Sequence, residues 1–298
     1  MSVTSPPSLL QRIGGYVALT KPRIIELLLV TTVPTMIVAE DGLPSLGLMA
    51  ATVVGGTLAA GGANAANMYL ERDLDRLMER TSGRPLVTGL VQPTPALVFA
   101  VSLELVAFAW LWALVNLASA ALAAAAALFY VFVYTLWLKR TSKSNIVIGG
   151  AAGAAPVLIG WAAVTGSLDW PAVVLFGVVF VWTPPHFWAL AIRYQDDYTA
   201  ADVPMLPSVL GSHETAVRSL RYTIALVALT LAFAAVADMG VIYLTSAVVL
   251  GLLFGWMSWG LLRAATPERA MRVFRFSIVY LTLLFAAIAV DVLVRSGV

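Results

Sequence analysis

The chain has no cysteine. Disulfides, thiolate metal sites and a cysteine nucleophile are therefore excluded. Charge is nearly as scarce. Of 298 residues, 18 are Lys or Arg and 16 are Asp or Glu, together 11%, less than half the roughly 25% of an ordinary soluble domain. Net charge is only +2 and no basic stripe stands alone, so a nucleic-acid partner is excluded. The pI near 9.0 is a small imbalance among few charges. What fills the chain instead is apolar: 60% hydrophobic residues and a mean hydropathy of +0.90. A soluble fold of this size has no room to hide so much, and the same numbers exclude disorder. The apolar runs are continuous rather than alternating, which excludes a closed β-barrel. What remains is an all-α polytopic membrane protein.

A helix crosses a bilayer in about 20 residues. Nine runs of that kind are read, at roughly 23–39, 45–66, 94–115, 117–138, 146–165, 171–191, 220–237, 241–262 and 273–294. Met1–Gly15 does not read as a signal peptide, because Pro6 and Pro7 interrupt it and no apolar stretch precedes Arg12. With the N-terminus inside and the spans alternating, every Lys and Arg except Arg295 falls on the inside. The outside loops carry Glu40, Asp41, Asp169 and Asp238 and no base. That partition obeys the positive-inside rule and predicts nine helices, N-terminus in and C-terminus out. Two inside loops, Asn67–Pro93 and Arg193–Ser219, are long and charged, and Lys139–Asn145 is short and basic. No long linker or low-complexity tract divides residues 1–298, which are read as a single domain.

The second span runs into Asn67-Met-Tyr-Leu-Glu71-Arg72-Asp73-Leu-Asp75. Asn67, Glu71 and Asp75 are spaced i, i+4, i+8 and share one helix face. Asp73 lies off that face, within reach through a bent helix end or a metal-bound water. Three acids so close repel one another, and burial worsens this. Hard oxygen ligands of this kind suit Mg²⁺, which bridges carboxylates to substrate phosphates. Arg72, Arg76, Arg80 and Arg84 stand beside them, as a metal-bridged polyphosphate requires; the alternative is a solvated helix end paired internally by Arg72, Arg76 and Arg80. The sixth span ends in Pro184-Pro185-His186 and then Arg193-Tyr194-Gln-Asp196-Asp197-Tyr198. The two prolines are expected to kink or break the helix. His186 is an ionisable group near the membrane, either a functional group or a neutral hydrogen-bonded core histidine. His213 looks ordinary. Lys139-Arg140-Thr-Ser-Lys143 and Thr20-Lys21-Pro22-Arg23 read either as positive-inside anchors or as anion-binding groups. Glu26 and Glu104 lie within or near spans and need partners. Asp291 is expected to pair with Arg295 one turn on.

At these residues the chain resembles the UbiA superfamily of intramembrane prenyltransferases, and within it the haem-farnesylating branch. The Asn-x-x-x-Asp-x-x-x-Asp motif is read here as Asn67, Glu71 and Asp75, with Glu71 in place of an Asp. In the second motif Asp197 matches one aspartate, while Tyr194 and Tyr198 stand where others are found in the wider superfamily. Thr20-Lys21-Pro22-Arg23, Asp73-Leu-Asp75 with Arg80-Thr81, Leu138-Lys139-Arg140-Thr141, His186-Phe187-Trp188-Ala189-Leu190-Ala191 and Pro204-Met205-Leu206-Pro207 are similar to the haem branch.

The resemblance implies nine helices around a central cavity, opening to the cytoplasm under the two long loops, in the bacterial inner membrane. It implies transfer of a farnesyl group from farnesyl diphosphate to a vinyl group of haem B, giving haem O for a terminal oxidase or a haem A synthase. It implies Mg²⁺ as cofactor, with Asn67, Glu71, Asp73, Asp75 and Asp197 as candidate ligands and all of these but Asp73 in the catalytic set. Lys21, Arg72, Arg80, Lys139, Arg140, Lys143, Arg193 and Tyr194 are the implied diphosphate-binding residues, and His186 an implied porphyrin contact as iron ligand or propionate donor. The rival readings are a prenyltransferase acting on a hydroxybenzoate or quinone precursor, a transporter, and a passive assembly subunit.

Overall fold

A computed structural model describes residues 8–297, with side chains except those of 23–29. The expectations on Pro6, Pro7, Arg23 and Glu26 lie outside the described side chains. Ten helices carry the fold: α1 (Leu9–Thr20), α2 (Pro22–Glu40), α3 (Leu46–Leu70), α4 (Pro93–Leu114), α5 (Leu117–Thr141), α6 (Asn145–Thr165), α7 (Trp170–Arg193), α8 (Leu206–Val236), α9 (Val241–Arg263) and α10 (Pro267–Ser296). No strand occurs among the described residues. The helices begin where local chemistry satisfies their free N–H groups. Ser45 caps α3, Asn116 caps α5 and Thr266 caps α10, while Pro22, Pro93, Pro171, Pro207 and Pro267 occupy first-turn positions, where a missing N–H costs nothing.

Eight helices, α3 to α10, are long and apolar enough to cross a membrane. The described apolar stretch of α2, Val30–Glu40, is shorter than a crossing. Each helix from α2 to α10 packs against the next, and α10 returns to α2, so the helices form a closed ring. Additional contacts of α2 with α6 and of α7 with α10 tie it across. Small residues permit the close approaches: at Gly160 in α6 a Cβ would lie 2.8 Å from the Thr32 carbonyl oxygen of α2. At the far end from the site, Asp291 accepts from Gly240 N at 2.6 Å and Tyr243 N at 3.1 Å. It also pairs with Arg295 at 3.2 Å, so it caps α9 as well as meeting the expected arginine. Glu104 of α4 packs against Gly62 of α3, and its Oε1 has no hydrogen-bond partner among the described residues.

Three features depart from the sequence reading. First, α7 is not broken at Pro184–Pro185 but remains helical through them, although the prolines remove two N–H donors. Second, α8 starts at Leu206, well before residue 220, and kinks at Gly211 (φ +79°). Glu214, Arg218 and Arg221 keep its first turns out of an apolar run without keeping them out of a helix. Third, Phe129–Leu138 in α5 is a π-helical stretch, a wider winding often found at functional sites.

Candidate functional site

The acid row forms as its spacing requires. Asn67, Glu71 and Asp75 are all buried at the end of α3 and the following helical turn Arg72–Asp75. Each holds a base. Lys21 Nζ donates to Asn67 Oδ1 at 2.7 Å. Lys139 Nζ lies 2.6 Å from Glu71 Oε1. Arg84 Nη1 donates to both Asp75 oxygens at 2.6 Å.

These bases arrive from three directions. Lys21 is the only residue between α1 and α2, held in the left-handed region at φ 52°, a conformation costing roughly 1–2 kcal/mol for a side chain with a Cβ. Asn64 locks the joint from α3 by donating to Thr20 O at 3.0 Å. Lys139 comes from the end of the π-helical stretch. There Thr135 Oγ1 donates to Tyr130 O, five residues back, at 2.9 Å and accepts from Asn67 Nδ2 at 3.0 Å. Arg84 comes from the loop after α3, where Thr81 donates to Asp75 O at 3.0 Å. Burial opposes the charge on Glu71, but Lys139 and then Lys21 outweigh it and hold the carboxyl below its ordinary range. Burial, with Arg84 close by, pushes the Lys21 ammonium down to about 7.

The second cluster joins the first through one arginine. Arg80 N donates to Asp197 Oδ2 at 3.2 Å, and its guanidinium reaches Tyr198 Oη at 3.4 Å. The same guanidinium lies over the Tyr194 ring at 5.5 Å and the Tyr198 ring at 5.9 Å. The tyrosines that stand in place of acids thus form an aromatic seat for a cation. Arg193 also lies over Tyr194, at 5.6 Å.

Other expected members are not brought to the row. Asp73 is 59% exposed and pairs with Arg140 at 2.8 Å, which holds its carboxyl below the ordinary value. Its exposure and its arginine partner set Asp73 apart from the buried Asn67, Glu71 and Asp75. Arg72 donates to Tyr69 O at 2.6 Å and stacks on the Tyr69 ring at 4.5 Å. Lys143 is exposed and makes no ion pair among the described residues. His186 lies deeper, buried between α7 and α10, with Nδ1 2.7 Å from Ser277 Oγ.

Residues 28–285 match the UbiA prenyltransferase family. The chain belongs to that family. A UbiA relative, the protoheme IX farnesyltransferase of Frankia casuarinae, is 56% identical over 283 residues, 94% of this chain and 98% of that one. The protoheme IX farnesyltransferase of Pseudarthrobacter chlorophenolicus is 51% identical over 302 residues, 100% of this chain and 95% of that one. Among solved structures, digeranylgeranylglyceryl phosphate synthase is similar with a TM-score of 0.77 at 17% identity, covering 94% of this chain and 98% of that one. A UbiA homologue from Archaeoglobus fulgidus bound to GPP and Mg²⁺ has a TM-score of 0.64 at 16% identity, covering 92% and 99%. At these identities the structures show the UbiA fold alone.

Two residues in contact with the acid row stand outside the candidate set read from the sequence. Arg84 was visible only as the last of four loop arginines, and no spacing rule pairs a loop residue with Asp75. Thr135 had no signal, because it reaches Asn67 only through the π-helical winding of α5.

Proposed function

We propose that the chain transfers the farnesyl group of farnesyl diphosphate to a vinyl group of haem B, giving haem O, at the cytoplasmic face of a bacterial inner membrane. The proposal includes nine crossings with the N-terminus inside and a single catalytic domain. The observation that carries it is the buried acid row in which each oxygen ligand already holds a base. The 51–56% identity to protoheme IX farnesyltransferases supports haem B as acceptor.

The donor chemistry of Asn67, Glu71, Asp75 and Asp197 suits Mg²⁺, since all four offer hard oxygens, while among the described residues no three His, Cys, Asp or Glu side chains converge as a metal cluster. Bound by these residues, Mg²⁺ would supply Lewis-acid neutralisation of the departing diphosphate. The chain's own bases do the rest. Lys21, Lys139 and Arg84 pass from the acids to the phosphate oxygens when the diphosphate arrives, so no charge in the row is left unpaired. Arg80, seated on Tyr194 and Tyr198, keeps the two acid clusters together. Arg72, Arg140 and Arg193 add positive charge near the mouth. The apolar helices enclose the farnesyl tail and keep water from the allylic carbon while the carbon–oxygen bond to diphosphate breaks. The new carbon–carbon bond forms at the vinyl group, and water then supplies the hydroxyl of the product side chain. His186 is the proposed porphyrin contact.

Purified protein incubated in detergent with haem B, farnesyl diphosphate and Mg²⁺ should give a farnesylated haem by mass spectrometry. Its absence from correctly folded protein would defeat the reading, and product formed from a hydroxybenzoate instead would select an aromatic-acceptor enzyme.

A further inference from the structure

His186 is 6% exposed and its ring is held on several sides. Trp182 stacks on it at 4.3 Å, Phe274 of α10 at 4.6 Å, and Phe187 meets it edge-on at 5.1 Å. The imidazole plane is therefore set. Trp182 is fixed in turn, since its Nε1 donates to Ser277 O at 2.8 Å.

The protons of this cluster can be assigned by counting. His186 Nδ1 is 2.7 Å from Ser277 Oγ, and Ser277 Oγ is 2.6 Å from Phe274 O. A hydroxyl has one proton, and a carbonyl oxygen only accepts. Two oxygens 2.6 Å apart without a proton between them would repel, so the serine proton goes to Phe274 O. Ser277 Oγ then meets Nδ1 as an acceptor, and Nδ1 carries the imidazole proton. Nε2 is left with its lone pair, and the ring's hydrogen bond among the described residues runs through Nδ1.

This assignment separates the two ways in which the ring would meet a porphyrin. A propionate needs a donor, and a lone pair repels it. An iron needs a lone pair on a neutral imidazole whose other nitrogen is anchored. We propose that His186 ligates the iron of haem B through Nε2 in the substrate complex, and that Ser277 is a positioning residue that fixes the required tautomer. The inference rests on haem B being the acceptor.

The test compares ferric haem B with metal-free protoporphyrin IX, titrated into the purified full chain, with Soret absorption and electron paramagnetic resonance as readouts. Wild type should show a histidine-ligated haem. His186→Ala should lose that signature while binding metal-free protoporphyrin IX as before. His186→Gly should regain it with added imidazole. Ser277→Ala should lower haem affinity about 10- to 100-fold, as loss of an anchoring partner does, and leave the metal-free porphyrin unaffected. His213→Ala, at the only other histidine, should change nothing. A wild-type complex without histidine ligation overturns the inference, a result that does not depend on any variant folding. So does an equal loss of both porphyrins in His186→Ala. Farnesyl transfer is followed in parallel. Turnover by wild type with an unaltered haem spectrum in His186→Ala overturns this inference alone. Histidine ligation without product supports it while defeating the farnesyltransferase reading.

Discussion

Replacing Lys139 by Met tests the acid row most directly. Lys139 is 13% exposed, Glu71 is 1% exposed, and they stand 2.6 Å apart. Removing one partner of a buried ion pair costs about 3–5 kcal/mol, whereas replacing both by apolar residues is often near neutral. Lys21 and Arg84 also favour the Glu71 charge, so Lys139→Met should fall at the low end, about 3 kcal/mol. Against a total stability of roughly 5–15 kcal/mol, that loss is easily measured. The double variant Lys139→Met/Glu71→Met should recover most of it, to within about 1 kcal/mol of wild type, and with Glu71→Met also costing about 3 kcal/mol the coupling between the sites is about 5 kcal/mol. Denaturant unfolding in detergent across the four proteins of the cycle measures the coupling. All three variants should lose farnesyl transfer, since the double variant restores packing without restoring either charge. A coupling below about 0.5 kcal/mol, the level seen for independent sites, would refute the buried pair. An active double variant would refute its place in the reaction.

Three further outcomes are expected. Asp75→Ala and Asp197→Ala should each abolish product in the mass-spectrometric assay while the chain still inserts and folds, and full activity in either would remove that residue from the site. Thr135→Val leaves Asn67 Nδ2 without its acceptor, so it should destabilise by about 1–3 kcal/mol and slow turnover, with Thr135→Ser restoring both. Chelation of divalent cations should stop farnesyl transfer, and added Mg²⁺ should restore it; undiminished turnover in excess chelator would exclude the metal.

Much of the fold was legible because membrane crossing is a local property. A run of apolar residues long enough to span needs no partner to be recognised, so α3 to α10 stand close to the runs read from sequence. The differences lie where locality fails. The start of α8 was hidden because its charged first turns are helical without being apolar. The continuity of α7 through Pro184–Pro185 is not local either, because the prolines remove hydrogen bonds of their own helix while neighbouring helices pack against it. The π-helical stretch of α5 had no pattern of its own. In the site, Asn67, Glu71 and Asp75 were readable because helical spacing alone places them on one face. Asp73 lies off that face and pairs with Arg140.

By itself, the sequence determined that this is a helical membrane protein and that an acid row closes the second long helix. These follow from hydropathy and from periodicity within single helices. Only the tertiary structure decided which base meets which acid. Asn67 and Thr135 are 68 residues apart, and His186 and Ser277 are 91 apart, distances over which no local rule acts. Buried polar atoms cannot turn to water, so the packing of the ring selects one partner for each. That selection assigned Arg84 to Asp75, seated Arg80 on two tyrosines, and brought Ser277 to His186.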